Sequence, residues 1–94
     1  MIKDILKSGQ YHLIDVREEM ELMMDGEIEG AINIPLGSLE DRKAEIIALD
    51  GDKIFFCRSG NRSGKAVEFL QSEGVEKVHN GGGYADLQAL LDTI

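Results

Sequence analysis

Lys53-Ile54-Phe55-Phe56 is a short, mostly apolar run that ends in Cys57, crosses Arg58-Ser59-Gly60-Asn61-Arg62 and gives way to a helical repeat. A strand that is apolar on both faces has to be covered on both faces, as strands inside a parallel sheet are. The repeat that follows, from Ser63 to Glu73, places Ala66, Val67, Phe69 and Leu70 at helical spacing and stops at Gly74. The same alternation of β-inclined and helical stretches recurs along the chain. With short connections between the stretches, this predicts an α/β fold: a mainly parallel central sheet with helices on both faces.

The remaining elements fit that plan. Ile2, Ile5 and Leu6 predict a short amphipathic helix closed by Gly9, and Tyr11 to Val16 predicts a strand. From Glu18 to Asp25 the spacing is helical, and Met20, Met23 and Met24 are expected to pack into the core. Ala31 to Ile34 is a short extended run ended by Pro35. Ser38, with Asp41 three residues on, is expected to cap a helix reaching about Leu49. Val75 to His79 predicts a strand, Gly81-Gly82-Gly83 a flexible turn, and Tyr84 to Leu91 a closing helix. A length of 94 residues suits one domain spanning 1–94.

Charge and cysteine content narrow the function. Ten basic residues against 18 acidic ones leave a net charge of -8. That argues against nucleic acid and against an anionic membrane surface, both of which need clustered Lys and Arg. No stretch reaches the roughly 18 apolar residues of a membrane span, and Met1-Ile2-Lys3-Asp4 lacks a signal-peptide layout, so a cytoplasmic location is expected. One cysteine excludes an internal disulfide and a multi-cysteine zinc site. His12 and His79 have no partners at ligand spacing, so neither a metal nor a cofactor is expected. Eight acids and no base lie between Arg17 and Arg42. They read either as a solvated face or as a docking patch for a basic protein.

The chemistry points to Cys57. In open α/β sheets ligands bind at the carboxyl ends of strands, where the loop after Phe56 falls. Amides at a helix N-terminus are unpaired and sit at its positive dipole end, which favours an anion and hence a thiolate. Gly60 frees the loop backbone, and Arg58 and Arg62 add charge. A P-loop does not fit, because around Gly64-Lys65 Ser59 stands where its first Gly belongs and Ala66 where its Ser or Thr belongs. A cysteine phosphatase places five residues between Cys and Arg; here Arg62 follows after four and Ser63 stands at the sixth position. The shorter ring suits one sulfur atom carried on Cys57 better than a phosphoryl group.

Cys57-Arg58-Ser59-Gly60-Asn61-Arg62-Ser63 resembles the active-site loop of rhodanese-like sulfurtransferases. Leu13-Ile14-Asp15-Val16-Arg17 resembles the family's Asp-Val-Arg strand end. Gly26-Glu27-Ile28-Glu29-Gly30-Ala31-Ile32-Asn33-Ile34-Pro35 is similar to its Gly-His-Ile segment, with Glu27 in place of His, and Gly81-Gly82-Gly83 resembles its late glycine turn, with Tyr84 near the usual place of a Trp. The resemblance implies that Cys57 takes sulfane sulfur from thiosulfate or a similar small anion and passes it to cyanide or a thiol. It implies that Arg58, Ser59, Gly60, Asn61, Arg62 and Ser63 form the substrate-binding loop, with Arg58 meeting the donor and Arg62 bracing the loop. It also implies that Asp15 and Arg17 are supporting residues that set loop geometry. A thiol-bearing or basic protein is the expected partner. A small-oxyanion phosphatase or arsenate reductase, and an interaction module without catalysis, are the alternative readings.

Overall fold

The computed structural model describes residues 1–94. Helix α1 (Ile2–Ser8) leads into β1 (Tyr11–Asp15), followed by α2 (Glu19–Asp25), β2 (Ile32–Asn33), a 3-10 turn (Leu36–Ser38), α3 (Lys43–Ile47), β3 (Asp52–Cys57), α4 (Asn61–Ser72), β4 (Val78–Gly83) and α5 (Tyr84–Leu91). The four strands form one sheet in the order β2-β1-β3-β4, and every pairing is parallel. The expected α/β architecture is therefore present.

Alternation along the central strands divides the interior into two layers. Ile14, Phe55 and Cys57 face one side, where they pack with Ile34, Leu39, Ile46, Ala66 and Leu70. Leu13, Ile54 and Phe56 face the other, against Leu6, Ile28 and Leu87. Full burial of side chains such as Phe55 and Phe56 contributes about 1.5–3 kcal/mol each. Cys57 is thus the last residue of a buried strand and lies on the face covered by α4.

Several local expectations are corrected. Met20, Met23 and Met24 do not enter the core; they are 64%, 77% and 78% exposed, and α2 has no buried residue. Helix α2 is held by polar contacts instead. Glu18 and Glu21 form a reciprocal capping box, Arg17 Nη2 donates to the Gly26 carbonyl at 2.9 Å, and Tyr84 Oη donates to the Asp25 carbonyl at 3.0 Å. Ser38 caps no helix, because Pro35 leads into the 3-10 turn and α3 begins only at Lys43.

The three late glycines are strand, not a loose turn. A bulge leaves Gly81 without a partner between the pairs Phe55–Asn80 and Phe56–Gly82. A Cβ at Gly81 would stand 2.6 Å from Ile54 Cγ2, and one at Gly83 2.8 Å from the Arg58 carbonyl oxygen. These glycines let β4 run flush against β3 and against the loop after Cys57.

Candidate active site

The loop Arg58–Gly60 joins β3 to α4. Gly60 is the N-cap of α4 and has φ +95°, a left-handed conformation that other residues resist. A Cβ there would lie 3.2 Å from Gly82 Cα. This turn folds the loop back over the end of its own strand. As a result the Gly60 N–H donates to Cys57 Sγ at 3.0 Å, and the Ser63 N–H, in the first turn of α4, donates to the same sulfur at 3.4 Å. Ser63 Oγ stands 3.5 Å from it. The sulfur therefore occupies the position of a helix-capping anion.

Burial pushes the Cys57 thiol up. Hydrogen bonding outweighs it: the Ser63 side chain and the amides of Ser63, Ser59 and Gly60 bring the thiol below its ordinary value. Cys57 is fully covered, and what covers it is a set of inward-turned amides as well as apolar side chains.

The two loop arginines differ. Arg58 is exposed and forms no ion pair. Arg62 is tied to α2, its Nη1 and Nη2 meeting Glu21 Oε2 and Oε1 at 2.7 and 2.8 Å. The Arg62 guanidinium and the Glu18 amide together hold the Glu21 carboxyl down to about 2, so this pair stays charged across ordinary working pH. Of the other loop residues, Ser59 and Asn61 are exposed while Ser63 is buried.

Asp15 and Arg17 form a buried pair, each 1% exposed, and not a weak surface one. Arg17 Nη2 reaches Asp15 Oδ2 at 2.7 Å, Nε lies 3.0 Å from both carboxylate oxygens, and the Arg17 amide donates to Oδ1 at 2.9 Å. The guanidinium also sits 4.3 Å from the centre of the Tyr84 ring. The pair's side-chain hydrogen bonds run within the pair and to the Gly26 carbonyl at the end of α2, not to the cysteine loop.

Sequence reasoning missed two features. His79 has a partner, with Nε2 2.8 Å from Asp52 Oδ1 at the far end of the sheet. Asn80 lies beside the loop. Its Oδ1 accepts from Ser63 Oγ at 2.7 Å and from the Gly82 amide at 3.0 Å, and its Nδ2 donates to the Gly60 carbonyl at 3.0 Å. No local signal marks it, because an Asn ahead of glycines reads as turn chemistry. No cluster of three or more metal-ligating side chains occurs. No helix is long and apolar enough to cross a membrane.

The fold and site together define a parallel α/β protein with a lone cysteine at a strand end, its sulfur accepting from two amides at the start of the next helix. The chain belongs to the rhodanese-like domain family, whose model matches residues 1–90. It is 36% identical over 77 residues to thiosulfate sulfurtransferase PspE of Escherichia coli (strain K12), a match covering 81% of this chain and 73% of that protein. The human single-domain sulfurtransferase TSTD1 superposes with a TM-score of 0.74 at 31% identity, over 94% of this chain and 88% of that one. A Rhodopseudomonas palustris protein of unknown function, RPA3614, described as a possible tyrosine phosphatase, gives 0.79 at 28% identity, over 94% and 74%.

Proposed function

We propose that the protein is a sulfurtransferase that carries sulfane sulfur on Cys57, with thiosulfate as donor and cyanide or a thiol as acceptor. The observation that carries this reading is the convergence of the Gly60 and Ser63 amides on Sγ. The thiolate attacks the outer sulfur of thiosulfate, the S–S bond breaks, and sulfite leaves with the electron pair. The terminal persulfide sulfur is then an anion, and fixed amide dipoles stabilise it without reorganisation. An acceptor nucleophile takes that sulfur and restores the thiolate. The sulfur itself is covered, and the adjoining Arg58 and Ser59 are exposed to an approaching donor.

Intact-protein mass spectrometry after thiosulfate treatment tests this. The expected result is a gain of one sulfur atom, reversed by cyanide or dithiothreitol and absent in Cys57→Ser. An unchanged mass in the parent protein overturns it. Loop length separates this reading from phosphate-ester hydrolysis, because Ser63, not an arginine, stands at the sixth position after Cys57.

Arg58, exposed and unpaired, is the guanidinium free to meet a doubly charged donor. For Arg58→Ala we expect the thiosulfate KM to rise more than kcat falls, because the donor's charge is bound alike in ground and transition states. A loss confined to kcat removes Arg58 from this role.

For the protein partner, the exposed Met20, Met23 and Met24 supply what an acidic surface alone lacks. They form an apolar face amid the exposed acids Glu18, Glu19, Asp25, Glu27 and Glu29, on the helix that the Glu21–Arg62 pair links to the first turn of α4. A second copy of this chain would bring like charges together there, so the occupant that fits is a basic, thiol-bearing protein with an apolar anchor. Persulfide transfer to a lysine-flanked cysteine peptide is expected to slow as salt rises, while transfer to a glutamate-flanked peptide does not. Equal salt responses overturn this assignment.

A further inference from the structure

The Asn80 side chain is held in one orientation. Its Nδ2 faces the Gly60 carbonyl and its Oδ1 faces the Gly82 N–H; turning the amide over would set N–H against N–H and oxygen against oxygen. The oxygen presented to Ser63 is therefore an acceptor. The 2.7 Å contact needs a proton, and only the Ser63 hydroxyl has one to give. Ser63 has a single hydroxyl proton, and its oxygen also stands 3.5 Å from Cys57 Sγ. While that proton points at Asn80, Ser63 offers the sulfur only a lone pair, which suits the neutral S–H. Once the sulfur carries charge, Sγ and Asn80 Oδ1 compete for one donor.

From this geometry we infer that Asn80 is a positioning residue that acts on Cys57 through Ser63. It draws the Ser63 proton away from the resting thiol, and the hydroxyl turns to the sulfur when negative charge develops there. The neutral thiol is thus left with the Gly60 and Ser63 amides, while the charged sulfur gains the Ser63 hydroxyl as a third donor beside them. When the hydroxyl turns, Asn80 Oδ1 keeps the Gly82 N–H, so no polar group is stranded. The use of this device in transfer rests on the persulfide reading above; its effect on the thiol does not.

The test is a thiol titration by thiolate ultraviolet absorbance on the parent protein, Asn80→Ala, Ser63→Ala and the double variant, with Cys57→Ser as the blank. Removing Asn80 also releases the Gly60 carbonyl, and that loosening acts in both backgrounds. Freeing the hydroxyl acts only where Ser63 is present. The Asn80→Ala change in Cys57 pKa is therefore expected to be more negative with Ser63 than in Ser63→Ala, by about half a unit or more. Ser63→Ala alone is expected to raise the pKa. Equal changes in the two backgrounds overturn the inference and reduce Asn80 to a structural brace. Asn80 is exposed, and Asn80→Ser replaces Asn80→Ala should the latter fail to fold. No sulfur donor enters the titration, so a protein that forms no persulfide yet shows the coupling removes the proposed function alone.

Discussion

Asp15→Ala is expected to destabilise the protein by about 3–5 kcal/mol, the usual result of removing one partner from a buried ion pair. At roughly 4–8 °C per kcal/mol for a domain of this size, the unfolding midpoint drops by more than about 12 °C. The size of the effect comes from what is left behind. Arg17 is 1% exposed, and Asp15 supplies both carboxylate oxygens to its guanidinium. Asp15 hydrogen bonding holds the Arg17 pKa above its ordinary value in the parent protein, and even without that carboxylate a guanidinium stays protonated in proteins, so the residue cannot escape by shedding its proton. The Gly26 carbonyl and the Tyr84 ring are the partners that remain. Thermal or urea unfolding measures the loss. A change of less than about 1 kcal/mol, the range of a surface pair, would show the guanidinium reaching water.

Gly60→Val is expected to lower sulfur-transfer kcat by on the order of 10²-fold, the scale seen when one preorganised donor leaves an anion site. Two effects combine. A β-branched residue at φ +95° is strained, costing about 1–3 kcal/mol. Its Cβ would also press on Gly82 Cα at 3.2 Å, where backbone, not a flexible side chain, would have to yield. Relief of either moves the Gly60 N–H off Cys57 Sγ. The Cys57 pKa should therefore rise alongside the loss of rate, which separates this variant from one that is merely unstable. Unchanged kcat in folded protein would show that the Gly60 amide does not serve the reaction.

The sheet was legible because its central strand carries its message in composition. Ile54, Phe55, Phe56 and Cys57 alternate between two buried layers, as a strand inside a parallel sheet requires. The geometry of the cysteine loop was legible because the groups that meet Sγ are backbone amides, whose direction follows from a glycine turn at the start of a helix. The methionines of α2 were not. Spacing of i, i+3 and i+4 identifies a face but not which side it turns, and α2 is fastened by Glu21, Arg17 and Tyr84 instead of by apolar burial. The glycines of β4 misled for a related reason. Their flexibility is a local property, whereas the lack of room beside Ile54 and the Arg58 carbonyl is a long-range one. Asn80 went unread because its partner Ser63 is 17 positions away, and the packing of α4 against β4 brings the two together.

Complete cover over the chain's one cysteine also bears on oxidative damage. A sulfenic acid formed there would find no second thiol in the chain to resolve it, and further peroxide would carry it to irreversible acids. The peptide groups that donate to the sulfur are also part of what shields it from oxidants in the surrounding water.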